Sequence, residues 1–441
     1  MTQTDTPAPA AQPDPPGRPP RSPRPAPRIH PAWWVALVSF LTILGAAAFA
    51  AAPGLLIEPL NHELGWSRAT IGAGLSIQLV LYGVTAPFAA ALMDRFGIQP
   101  VVAVALTVIA LGAFSTIWMT EPWHFVLAWG VMVGLGSGAL ALAFTATITQ
   151  RWFVRRRGLV SGVLTAATAS GQLVFLPLLA WMVENQGWRA ASIVVALACA
   201  LVMPLVLLLL RDHPADIGLA PYGSDEFVPK PPPRHGVARR TVSALVRAAR
   251  TPVFWLLAGA FAICGATTNG LVRTHFVPSA HDHGMPVTVA ASLLAVIGVV
   301  DIIGTIGSGW LTDRFSPRVL LGVYYTLRGV ALLFLPTLMA PQVDPPMVLF
   351  IVFYGLDWVA TVPPTLALCR EIYGEEAPVV FGWVLASHQV GAGVVTWLGG
   401  LVRDITGSYD LVWYGAGVLC AGAALMSLVI RRAPESEPAV V

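Results

Sequence analysis

The chain has 441 residues, of which 56% are hydrophobic and only 11% charged, against about 25% charged in a typical soluble domain; its mean hydropathy is +0.71. A soluble enzyme of this composition would leave large apolar patches in water, and a net charge of +3 is too small for a nucleic-acid binder that works by bulk charge. Lipid is the solvent that suits it.

Residues 1–32 are rich in proline and carry Arg18, Arg21, Arg24 and Arg28. They lack the apolar core and cleavage site of a secretory signal and cannot bury enough surface to fold, which predicts a disordered cytoplasmic tail. Twelve apolar runs then follow, each near the ~20 residues that a spanning helix needs. The first six are Trp33 to Ile57, Ala69 to Met93, Ile98 to Trp118, His124 to Ile148, Leu159 to Val183 and Ala190 to Leu210. The second six are Pro252 to Val277, Val287 to Leu311, Val319 to Met339, Met347 to Cys369, Val379 to Val402 and Leu411 to Ile430. The prediction is an all-α membrane protein of twelve transmembrane helices. It has an N-terminal six-helix bundle over 33–210, a cytoplasmic linker over 211–251, a C-terminal six-helix bundle over 252–430 and a cytoplasmic tail over 431–441.

Basic residues in the loops set the orientation. With the N-terminus in the cytoplasm, that side holds the tail arginines, Arg151, Arg155, Arg156, Arg157, the single lysine Lys230, and Arg234, Arg239, Arg240, Arg431 and Arg432 among others. The outside receives only Arg68, Arg189 and Arg403. An odd number of spans would scramble this asymmetry. It therefore predicts a multi-pass protein with an even number of spans and both termini cytoplasmic; heavy use of alanine, proline and arginine points to a GC-rich bacterial genome and hence to a bacterial inner membrane.

The halves echo each other. The second span ends in Asp94-Arg95-Phe96-Gly97 and the eighth in Asp313-Arg314-Phe315-Ser316, as expected of parallel six-helix repeats around a central path. Gly309-Trp310-Leu311-Thr312-Asp313-Arg314, with Arg318 beyond, resembles the signature loop of the major facilitator superfamily; in the first copy Ala90 replaces the glycine. The resemblance implies the major facilitator fold and a conformational latch at Asp94, Arg95, Asp313 and Arg314. Gly65-Trp66-Ser67-Arg68-Ala69-Thr70-Ile71, and Arg151-Trp152-Phe153 through Arg157-Gly158-Leu159, are similar to the bacterial monocarboxylate-porter and oxalate/formate-antiporter-like branch. That resemblance implies transport of a small organic anion, often with a proton. Two departures stand out. Asp301 is present, but Thr305 stands one turn on, where the eukaryotic monocarboxylate transporters have arginine, and the first span has no lysine.

Ionisable groups in a bilayer are costly unless paired or wetted, so each is a functional candidate. Arg273 offers a planar cationic fork for carboxylate, with Asn269 one turn earlier and His275 nearby; the alternative is an arginine snorkelling to the interface. Asp301 and Arg328, near mid-depth in the eighth and ninth spans, are read as a pair, either structural or proton-sensitive. Asp357 is a candidate proton carrier, or an aspartate that holds packing. His388 and Gln389 are candidate substrate contacts, joined in the first half by the neutral groups Tyr82 and Gln172. Gly130, Gly134 and Gly138, and Gly158 and Gly162, are spaced for close helix contact. A dimerisation face is the weaker reading of these glycines, and a monomer is expected.

His281-Asp282-His283 has no further ligand cluster, so no metal is expected. Nor is any cofactor or nucleic-acid partner. No glycine loop followed by lysine supports an ATP-driven pump, and no catalytic set marks an enzyme. The leading expectation is a proton-coupled secondary transporter that moves a monocarboxylate by alternating access. Its rivals are proton-driven efflux of drugs or metabolites, against which Ser170 to Pro177 departs from the drug-antiporter motif, and a non-transporting receptor, which no appended domain supports.

Overall fold

A computed structural model describes residues 30–140, 142–224, 226–230 and 236–430. The expected tails over 1–29 and 431–441, and Arg234 in the linker, lie outside the described residues. Prolines at first-turn positions, where a missing N–H costs nothing, open the helices that start at Pro31, Pro122, Pro252, Pro317 and Pro345. The first six spans are Pro31–Leu64, Arg68–Phe96, Ile98–Trp118, Pro122–Trp152, Arg157–Gln186 and Trp188–Leu209. The seventh to ninth are Pro252–Asp282, Val287–Thr312 and Pro317–Leu338.

The next helical run, Pro345–Thr406, is 62 residues long. As one straight helix it would reach about 93 Å, roughly three hydrocarbon cores. Instead a tight turn at Gly374–Glu376 divides it, and the two arms pack on each other. The tenth span is thus Pro345–Asp357 with Val362–Tyr373, the eleventh Ala377–Thr406, and the twelfth Asp410–Val429.

Within the first half the first span packs on the fifth and sixth, the third on the sixth and the second on the fourth. In the second half the seventh packs on the eleventh and twelfth, the eighth on the tenth and the ninth on the twelfth. Gly130, Gly134 and Gly138 form one stripe against the second span. A methyl group added there would come within 3.0 Å of the Gly74 carbonyl oxygen, 3.0 Å of Gln78 Cα and 2.6 Å of Thr85 Cβ respectively. Gly158 and Gly162 differ: neither would meet an atom within 4 Å, so this pair mediates no close helix contact.

The halves meet along three seams: second span on eleventh, fifth on eighth, and first on seventh. We call the face that carries His30 and Ile430 the terminal face and the opposite one the distal face. Toward the distal face the seams are tight. A methyl group on Gly72 would lie 2.8 Å from the Thr396 carbonyl oxygen, on Gly400 2.5 Å from that of Arg68, and on Gly54 2.7 Å from that of Thr274. At the terminal ends of the fifth and eighth spans Gly158, Gly162, Gly307 and Gly309 all have open space beside them. A short helix, Val237–Ala248, lies under the terminal face, where Trp383 Nε1 donates to the Thr241 carbonyl at 2.9 Å.

Candidate substrate site

The seventh span is not a regular helix. A wide, π-type turn occupies Ala266–Val272, and such turns re-aim side chains while freeing a backbone carbonyl. Here the Thr274 hydroxyl satisfies the freed Asn269 carbonyl at 2.9 Å. Arg273 follows directly, and its Nη1 donates to Asn269 Oδ1 at 3.3 Å.

Both side chains face a cavity of about 130 Å³ between the halves. Its opposite wall comes from the first span (Ile43, Ala46, Phe49, Pro53), the second (Leu75, Gln78, Tyr82), the fourth (Ser137, Leu140) and the fifth (Thr168), and Gln389 closes it from the eleventh. Arg273 is the one charged residue in this lining, and among the described residues no carboxylate lies within ion-pair distance of it. A cation held between apolar walls without a counter-charge is costly. The chemistry it satisfies is that of a mobile anion.

A second group of charges sits behind the cavity wall. Pro363 and Pro364 lack the N–H that would bond the carbonyls of Val359 and Ala360, so the tenth span breaks after Asp357. Val362 N–H turns to the Val359 carbonyl at 2.9 Å, and Ser308 Oγ donates to that of Ala360. Arg328, wholly inaccessible at 0% exposure, fills the remainder. Its Nε donates to Asp357 Oδ2 at 2.6 Å, Nη2 to the Asp357 carbonyl at 2.6 Å, and Nη1 to Cys264 Sγ at 3.0 Å.

This corrects the expected pairing of Arg328 with Asp301. Asp301 Oδ1 is taken by the Val359 N–H at 2.9 Å and by the Thr305 hydroxyl at 3.0 Å. The carboxylate thus holds an amide of the turn between the two helices, while the arginine caps the helix that stops. Thr305, the departure noted in the sequence, holds Asp301 in that position.

Of the expected substrate contacts, Arg273, Asn269, Gln389 and Tyr82 line the cavity together. His388 and Gln172 do not. Neighbours on a helix point about 100° apart, so with Gln389 turned inward His388 turns away, its Nε2 3.4 Å from Thr268 Oγ1 and its ring against Phe261. Gln172 lies in the seam between the fifth and eighth spans, where its Oε1 would meet a methyl group on Gly298 at 3.0 Å. His275 is buried and pairs through Nε2 with the Thr396 carbonyl at 2.9 Å.

The two copies of the repeated loop differ. Asp94 pairs with Arg151, whose Nη1 lies 3.5 Å from Asp212, and Lys230 closes the group at 2.7 Å from Asp212. Gly97, with φ 92°, lets the chain turn close enough for Asp212 to accept from the Ile98 N–H. Arg95 lies over Phe96. In the second copy Arg314 lies over Trp310 and bonds its carbonyl at 3.0 Å, while Asp313 has no ion pair among the described residues. The sequence missed the π-type turn that aims Arg273 and the thiol of Cys264 beside Arg328. It offered a signal only for the break, in Pro363-Pro364.

Two six-helix groups with a cavity between them, lined mainly by apolar side chains and by one arginine, define a membrane transporter rather than an enzyme. The chain belongs to the Major Facilitator Superfamily, which it matches over residues 35–369 and again over 274–441. It is 26% identical over 410 residues to an uncharacterized MFS-type transporter, YcxA of Bacillus subtilis (strain 168), covering 92% of this chain and 96% of that one. It is 29% identical over 389 residues to monocarboxylate transporter 13 of Bos taurus (84% and 83% covered). With monocarboxylate transporter 11 of Homo sapiens it shares 26% over 434 residues (93% and 86% covered). Among solved structures it resembles a D-xylose-proton symporter, with a TM-score of 0.70 at 16% identity over 90% of this chain and 97% of that one. The inward open xylose transporter XylE from E. coli gives 0.69 at 14% identity, with 92% and 98% covered.

Proposed function

We propose that the protein carries a small monocarboxylate, together with a proton, across a bacterial inner membrane by alternating access. The terminal face would then lie in the cytoplasm, as the basic loops favour. The observation that carries this reading is Arg273, the lone charge of the cavity lining, held by Asn269 and, among the described residues, without a carboxylate partner. A guanidinium in an apolar site binds a carboxylate through two parallel charge-assisted hydrogen bonds. A single such cation suits one carboxylate, and it repels the cationic compounds that many drug exporters carry.

Asp301, Arg328 and Asp357 are the proposed coupling groups. They brace the break in the tenth span, so a proton gained there would loosen a helix that packs on the eighth. Asp94, Arg95, Asp313 and Arg314 are the proposed latch, engaged in one copy only in this conformation. The relatives named for monocarboxylates support the substrate class.

The test is ligand-induced stabilisation of purified protein by lactate and pyruvate. Wild type should be stabilised, Arg273→Lys weakly, and Arg273→Gln not at all. Equal stabilisation of wild type and Arg273→Gln would remove Arg273 from the site.

A further inference from the structure

The distal face is closed by two bonds of the same kind, one given by each half to the other. At the end of the eleventh span, Asp404 accepts from the backbone N–H groups of Ala69 at 2.8 Å and Arg68 at 3.3 Å, the first amides of the second span. At the end of the fifth span, Glu184 accepts from the backbone N–H of Thr288 at 3.1 Å and from its hydroxyl, in the first turn of the eighth span.

The first amides of a helix lack partners within it and carry the positive end of its dipole. Each carboxylate therefore bonds to a helix N-terminus of the opposite half. The fifth and eleventh spans occupy the same place in their halves, as do the second and eighth. The two acids also share one position in the sequence: each stands three residues before a helix-ending glycine of positive φ, Gly187 at 83° and Gly407 at 78°.

We propose that Glu184 and Asp404 are paired positioning residues for transport. Together they hold the distal face shut, and both must release before the cavity can open on that side. This rests on the alternating-access reading but not on any choice of substrate. The Asp404 bond is the stronger of the two. Arg68 Nη1 adds a charge 3.8 Å from Asp404, and that guanidinium is itself fixed by Glu58 at 2.9 and 2.7 Å. Among the described residues the Glu184 bond has no such support.

Accessibility tests this without a transported ligand. Ala50, in the cavity lining, is replaced by cysteine; the four native cysteines are buried. A membrane-impermeant maleimide is then supplied from the distal side of sealed vesicles that hold the full chain. Losing a charge-assisted bond of this kind should raise the labelling rate about tenfold for Asp404→Asn/Glu184→Gln together, and about threefold or more for each alone. The charge-keeping exchange Asp404→Glu/Glu184→Asp should stay closer to the parent than the amide variants do. If the double variant is not recovered folded, the single variants decide. A labelling rate at or below the parent in folded variants overturns the proposal.

Discussion

Two arginines inside spans have opposite surroundings, and the contrast assigns their work. Arg328 is fully buried and closely partnered, whereas Arg273 faces a cavity and, among the described residues, is held by Asn269 alone. Removing one member of a buried ion pair strands the other and costs about 3–5 kcal/mol. Arg328→Leu should therefore lower the unfolding temperature of the purified protein sharply, and Asp357→Leu added to it should restore part of the loss. Arg273→Gln should leave that temperature near the wild-type value in the absence of ligand, because no carboxylate is stranded. A large destabilisation by Arg273→Gln would show a hidden counter-charge. That both arginines lie inside spans was legible in the sequence, since span boundaries follow from composition. Their partners were not. Helical spacing tells which residues share a face, but not which facing helix meets them, so the sequence points Arg328 to Asp301, whereas the proline-induced break sets it against Asp357.

At the scale of elements, glycine decides how closely spans approach. The seventh and eleventh cross almost backbone to backbone: a methyl group on Gly265 would fall 1.7 Å from the His388 carbonyl oxygen, and one on Gly391 2.0 Å from that of Ala262. Gly265→Ala and Gly391→Ala should each reduce the yield of folded protein strongly, since rigid backbone cannot yield. Gly162→Ala and Gly307→Ala, with nothing within 4 Å, should be neutral or slightly stabilising, because alanine favours helix. Size-exclusion profiles and melting temperatures of the four variants check this, and equal tolerance at all four would contradict it. The stripe Gly130, Gly134 and Gly138 could be read from spacing alone. The same spacing at Gly158 and Gly162 misled, because a period of four marks a face without saying whether anything packs on it. The π-type turn of the seventh span left no sequence mark. An apolar run reads alike whether its turns hold four residues or five.

At the scale of the molecule, the halves share topology and divide chemistry. The first half gives the cavity most of its wall, all of it neutral. The second gives Arg273 and, behind it, Arg328, Asp301 and Asp357. The distal seams are tight, and each half lends one carboxylate to the other. An anion bound at Arg273 and a proton taken up near Asp301 and Asp357 would cross with no net charge, so a proton gradient alone could drive accumulation. The most direct measurement is uptake of labelled lactate and pyruvate into vesicles that contain the purified protein, with and without an acid exterior. The account predicts uptake above protein-free vesicles, faster when the outside is acidic, and abolished by Arg273→Gln. Protein-dependent uptake that ignores the gradient, or that survives Arg273→Gln, would contradict it.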